Sequence, residues 1–185
     1  MNEIFQEFID ELIIDKDKIS KTNEYFFLKP GKHRVIAFLR MEKIKNADLM
    51  FYNITNLVSI KFSNNFFSSN LKSVYGLFKN CINLTYVNFN GSFSDIKNFS
   101  FFFQNCISLT SLDLSNIVTR EAINISYMFS NCSSLQLITE KDILLSLNHS
   151  FNFFRTFEGE GVNVSKFDLY KVLIYRVLTQ LISLI

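Results

Sequence analysis

Four stretches of this chain, residues 50–62, 77–89, 102–114 and 128–140, carry one pattern of apolar and polar positions. Each opens on an apolar residue and a phenylalanine. A variable position, an asparagine and a small apolar residue follow, then Leu-x-x-aliphatic. The first three close on a further apolar residue two positions on, where the fourth has Glu140. The phenylalanines are Phe51, Phe78, Phe103 and Phe129, so the period is 25 to 27 residues. A period of that length is the mark of a repeat architecture, in which one supersecondary unit recurs and buries its apolar face only by stacking on its neighbours. Within a unit the second half alternates, as in Leu112-Asp113-Leu114. Alternation of that kind predicts a short strand with one face inward. The first half has apolar residues four positions and one position before the anchor phenylalanine: Val74 and Leu77, Phe99 and Phe102, Ile125 and Met128. That spacing predicts a short helical turn.

The flanks have patterns of their own. Ile4, Phe5, Phe8, Ile9, Leu12 and Ile13 form one stripe at helical spacing over residues 3–14, with Glu7, Asp10 and Glu11 as the solvated face. Residues 25–40 hold two apolar runs around Pro30-Gly31 and predict strand–turn–strand. Residues 166–185 form a more thoroughly apolar helix. Asp168, Lys171, Arg176 and Gln180 interrupt it, which favours a packing helix over a membrane span. Residues 147–161 include Asn152-Phe-Phe-Arg-Thr-Phe157, a candidate degenerate fifth unit. The division is thus an N-terminal capping segment (1–44), four repeats (45–140) and a C-terminal capping segment (141–185).

The phrases Tyr127-Met-Phe-Ser-Asn-Cys-Ser-Ser-Leu135 and Leu109-Thr-Ser-Leu-Asp-Leu-Ser-Asn116 resemble the BspA-like leucine-rich repeat, over roughly residues 45–140. The resemblance implies an α/β repeat solenoid of short parallel strands and short helical turns, capped by flanking helices. It implies a place on cell-surface or adhesin-like proteins, and no enzyme activity. The fourth unit departs from the pattern at Glu140, which suggests an end to the array. The first ten residues lack a basic n-region and an apolar run, so no secretory signal peptide is read there; that favours an intracellular location where the resemblance suggests the surface.

Composition changes this picture little. The chain has 185 residues, enough for one sizeable core. It has 22 Phe and 7 Tyr, so single phenylalanines carry no functional signal. With 19 basic and 17 acidic residues the net charge is +2. No dense basic run stands in the sequence, which argues against nucleic acid as partner.

Candidate chemistry is sparse. Cys81, Cys106 and Cys132 share one repeat position, held by Ile54 in the first unit, and read as a buried ladder rather than a metal or redox cluster. Asn53, Asn80, Asn105 and Asn131 also share one position, where their amides would satisfy backbone groups at the turn entering each strand. Sequons at Asn53, Asn83, Asn98, Asn124 and Asn131 follow from the abundance of Asn and Ser. His33 and His149 have no identifiable nucleophile or orienting partner. Gly159-Glu-Gly161 lacks the Gly-Lys of a phosphate loop. No catalytic, cofactor or metal residue is nominated.

What remains is recognition. The strand positions that point away from the core are Ser59 and Lys61, Tyr86 and Asn88, Ser111 and Asp113, Leu137 and Thr139. Together they form a candidate interaction face for a protein or glycan, with Tyr86 as its largest group. The alternative is an intracellular structural or oligomerisation scaffold with no dedicated ligand face, and the C-terminal apolar helix offers a further surface for association.

Overall fold

A computed structural model of the chain describes residues 9–19, 31–63, 66–67, 71–90, 93–114 and 121–139, together with Thr156 and Glu158. Seven strands are formed among them: β1 (Ile9–Ile14), β2 (Asp17–Ile19), β3 (Val35–Leu39), β4 (Ser59–Lys61), β5 (Tyr86–Asn88), β6 (Ser111–Asp113) and β7 (Leu137–Thr139).

The first three strands make an antiparallel sheet in the order β2-β1-β3. The helix expected over residues 3–14 is therefore not found: its described part is β1. Isoleucine at positions 9, 13 and 14 favours a strand, since a β-branched side chain is stiff and packs well on a pleated surface. At Asp15 and Lys16 the backbone takes φ of 55° and 119° and turns directly into β2. Two successive positive φ values give the tight hairpin whose twist suits paired strands. Glu11, expected on a solvated helix face, is paired with Lys18 of β2 at 2.8 Å. Of the expected strand–turn–strand, the second arm is β3, which pairs with β1. The first arm and Pro30 lie outside the described residues, as do the C-terminal helix over 166–185 and His149.

The four units stack, and every unit bonds to the next through its turn. The Phe51 N–H donates to Leu77 O at 3.0 Å, Phe78 to Phe102 O at 2.9 Å, and Phe103 to Met128 O at 2.8 Å. The residues two before the first three anchors and two after all four bond in the same way, as in Leu49 to Tyr75 O and Asn53 to Lys79 O. The alternate N–H groups close four-residue turns within the unit: Leu77 to Val74 O, Lys79 to Gly76 O, Cys81 to Phe78 O, Leu84 to Cys81 O. Half of the donors thus leave the unit, where an α-helix would keep all of them inside. This corrects the expected helical turns. Among the described residues the one helical element is a three-residue 3-10 turn, Met41–Lys43. The α/β solenoid with flanking helices does not describe the molecule, which is strands and turns.

The same bonding reaches a fifth level. Phe129 donates to Thr156 O at 2.8 Å and Asn131 to Glu158 O at 2.7 Å, the offsets seen between the earlier units.

The core runs along the stack. The anchor rings lie parallel: Phe51 to Phe78 at 5.5 Å, Phe78 to Phe103 at 5.4 Å, Phe103 to Phe129 at 5.8 Å, with interplanar angles of 14° or less. Phe62 and Phe89 begin a second column at 5.8 Å, and Phe66, Phe67 and Phe93 pack against it. Leu84, Leu109 and Leu135 are buried, while Leu57 in the first unit is partly exposed. A buried aromatic side chain removes 150–250 Å² from water, so this double column carries much of the stabilisation.

Two left-handed residues recur in each turn, two before and two after the anchor: Leu49 and Asn53, Gly76 and Asn80, Phe101 and Asn105, Tyr127 and Asn131, with φ between 56° and 63°. Asparagine tolerates this region. Gly76 meets a second demand, because a Cβ there would lie 2.6 Å from Leu49 Cδ2. The asparagines also bond to one another: Asn105 Nδ2 donates to Asn80 Oδ1 at 2.7 Å and Asn131 Nδ2 to Asn105 Oδ1 at 2.9 Å. Between these units their side-chain amides therefore form a ladder with each other, where the sequence suggested contacts to backbone.

Candidate functional site

The expected recognition face lies on β4 to β7. β4 and β5 pair in parallel, setting Ser59 beside Tyr86 and Lys61 beside Asn88. β6 and β7 pair likewise, setting Ser111 beside Leu137 and Asp113 beside Thr139. β5 and β6 are neighbours that are not joined as strands. The eight positions are consequently two blocks of four rather than one uninterrupted strip.

The inward residues between them, Val87 and Leu112, are buried, and Ile60 and Ile138 pack against the same core. Alternation then turns the flanking positions outward. Ser59, Lys61, Ser111 and Asp113 are exposed, and Tyr86 keeps 45% of its surface accessible. Asn88 is half-buried beneath it and donates from Nδ2 to the Tyr86 hydroxyl at 3.1 Å. That bond fixes the tyrosine while leaving much of the ring open. Asn88 Oδ1 is buried without a hydrogen-bond partner, an acceptor inside the face. The side chains of Leu137 and Thr139 lie outside the description. The described side chains of the face offer one held aromatic ring, hydroxyls, an amide and two opposite charges.

The cysteines sit elsewhere, inside the turns. Each is buried, and each Sγ–H donates to the carbonyl of the preceding unit's anchor phenylalanine: Cys81 to Phe51 O, Cys106 to Phe78 O and Cys132 to Phe103 O, at 3.0 to 3.1 Å. Burial pushes the thiols up, to about 11 for Cys81 and about 12 for Cys132, and raises Cys106 well above its ordinary value. A thiol held neutral is a poor nucleophile and a poor metal ligand. Among the described residues no three His, Cys, Asp or Glu converge as metal ligands would.

His33 does have a partner that sequence reasoning missed. Its Nδ1 lies 2.6 Å from Asp15 Oδ2, and Asp15 Oδ1 accepts the Arg34 N–H at 2.8 Å. The His33 contact lowers the Asp15 carboxyl, helped by the Arg34 bond. The pair clasps the β1–β2 hairpin to the start of β3. The Asp15-Lys16 hairpin turn was its local signal, but the 18-residue separation hid the contact.

Three surface rows were also missed, because each is spread over distant units. One is aromatic: Phe101 and Tyr127 stack at 4.8 Å and 10°, and Tyr75 leans on Phe101 at 5.3 Å. Lys79 Nζ lies 4.9 Å above the Phe101 ring. A second is polar: Asn46, Ser73, Asn98 and Asn124 are bridged in parallel from unit to unit. The third, Lys45, Lys72 and Lys97, lies immediately before it in sequence.

Among the described residues no helix is long and apolar enough to cross a membrane. No known family, curated protein or solved structure matches the chain.

Proposed function

We propose that the stacked units are a non-catalytic recognition module that binds a protein or a glycan through the face built on β4 to β7. The observation that carries this reading is Tyr86, a large ring with 45% of its surface accessible, held by Asn88 above a buried backing. An aromatic side chain whose ring and hydroxyl are already positioned loses little freedom on contact, which is why tyrosine is a favoured interface anchor. Lys61 and Asp113, on different blocks, would orient a partner more than hold it. The resemblance of the repeats to the BspA-like kind supports an adhesin-like setting for this binding.

The test is to screen immobilised protein against a glycan array and against proteins of the native source. The ligand found is then titrated against Tyr86→Ala and Asp113→Lys. Both should weaken capture, Tyr86→Ala by tenfold or more, about 1.4 kcal/mol or above. Full binding by both variants, with loss on deletion of residues 166–185, would move the contact to the C-terminal segment.

A further inference from the structure

We propose that the row Lys45, Lys72, Lys97 and Ile123 is a second binding surface, distinct from the strand face, whose occupant is an extended acidic peptide with an apolar residue at one end.

These residues stand at one position in four successive units, and the backbone puts them in register. The Lys72 N–H donates to Lys45 O at 2.8 Å, Lys97 to Lys72 O at 2.9 Å, and Ile123 to Lys97 O at 2.9 Å. The adjoining residues are the parallel bridges Asn46–Ser73–Asn98–Asn124. In such a ladder equivalent side chains recur about every 4.8 Å along one face. The residue before each is buried (Ile44, Leu71, Ile96 and Ala122), so the row itself turns outward, and all four of its members are exposed. The sequence alone shows three lysines scattered 25 and 27 residues apart; the fold makes them neighbours.

Like charges directly across a ladder destabilise it. One carboxylate offsets the row: Asp95 Oδ2 receives Lys72 Nζ at 3.1 Å, and both are about half exposed. The exposed Lys43 adds a further positive charge at the first unit, next to the exposed Glu42. Glu42 offsets Lys43, so the positive charge is that of the row itself, Lys45, Lys72 and Lys97, and an anion laid along it relieves a repulsion the free protein carries.

The other end selects the kind of anion. At the fourth unit the lysine position holds Ile123, 46% exposed, with Glu121 exposed two residues before it. An apolar group beside an acid does not favour a uniform polyanion such as nucleic acid or an acidic polysaccharide. A peptide can carry carboxylates and an aliphatic side chain in one strand. The row spans three steps, about 14 Å, which four or five extended residues cover at about 3.3 Å each. The peptide's acidic end lies over Lys45 and its apolar end over Ile123.

The probe is a fluorescein-labelled pentapeptide of four glutamates ending in leucine, titrated by anisotropy with the full chain at low salt. Binding should fall at least tenfold in K45Q/K97Q and about threefold in I123S, and it should weaken with added salt. Tyr86→Ala should bind it as the parent does, which separates this surface from the strand face. In the free protein K45Q/K97Q should raise the melting temperature or leave it level, so lost binding cannot be ascribed to unfolding. Unchanged affinity in K45Q/K97Q overturns the proposal. So does tighter binding of a heparin fragment, an oligonucleotide or anionic vesicles than of the peptide, and so does equal affinity for a pentaglutamate without the leucine.

Discussion

The turns and the strands of this repeat stack differ in how completely they join one unit to the next. Through the turns, backbone bonds, stacked phenylalanines and thiol–carbonyl bonds run through all four units, and the backbone bonds go on to Thr156 and Glu158. Through the strands, pairing covers three residues at a time and skips the step from β5 to β6. In a stack where stability is the sum of units and nearest-neighbour interfaces, the column with unbroken interfaces sets the cooperativity. The strands can then vary their outward residues without loosening the whole. On the proposed function, recognition falls to the strand face while the turns hold the stack together.

Removing an anchor ring is the severest way to break this division. Phe103 is fully buried between Phe78 and Phe129. Phe103→Ala should cost about 3–5 kcal/mol in urea unfolding. Ile60→Ala, on a strand and only partly buried, should cost about 1 kcal/mol, because less apolar surface returns to water. Equal losses would mean that strands and turns share the load.

Gly76→Ala comes next. The substitution forces a Cβ into the left-handed region at φ 56° and against Leu49 Cδ2. A loss of about 1–3 kcal/mol is expected. Adding Leu49→Ala should recover the steric part only, leaving the backbone part visible. The asparagine ladder can be dissected in the same way. Asn105→Ala loses both the two amide bonds and the tolerance for φ 61°, whereas Asn105→Gly loses the bonds alone. The alanine variant should be the less stable by about 1 kcal/mol.

The thiol column responds to pH. Burial keeps the cysteines protonated in the fold, so their folded values lie above the unfolded one near 9. Where the folded state holds protons that the unfolded state releases, stability falls as pH rises. Their contribution should be fully present below pH 9 and decline from there towards 11 and 12. Cys106→Val should flatten that decline, measured as urea midpoints between pH 8 and 10.5.

The repeat was legible because its signals are local. Phe, Asn, Cys and Leu recur at fixed offsets, and the anchors stack as that register implies. The turn conformation was not. Val74, Leu77, Phe78, Cys81 and Leu84 recur mainly every three residues, and over so short a window linked turns and a helix of period 3.6 give the same apolar stripe. What separates them is where the N–H groups go, a property of neighbouring units rather than of the segment. The left-handed asparagines were the available sign, since Asn at one offset in every unit suits a recurring positive φ. Of the candidate site, the strand alternation gave the exposed positions Ser59, Lys61, Tyr86, Ser111 and Asp113, but not the half-burial of Asn88 or its bond to Tyr86; the break between β5 and β6 is set by packing across units.

The smallest expected effect tests the other half of the comparison. If chemistry sits on strands that contribute little to the stack, Tyr86→Ala should change stability by no more than about 0.5 kcal/mol. The ring is 45% accessible, its hydroxyl accepts one bond from Asn88, and its strand partner is Ser59, a small exposed residue. Truncation frees the Asn88 amide, and that nitrogen can then turn to solvent at little cost because the face is open. Tyr86→Phe keeps the ring and removes the hydroxyl, so it should be closer still to the parent. A loss of about 2 kcal/mol or more in Tyr86→Ala by urea unfolding, with Tyr86→Phe also impaired, would make the tyrosine a structural tie across β4 and β5. The strand face would then share the structural role of the turns, and the separation of the two regions would fail.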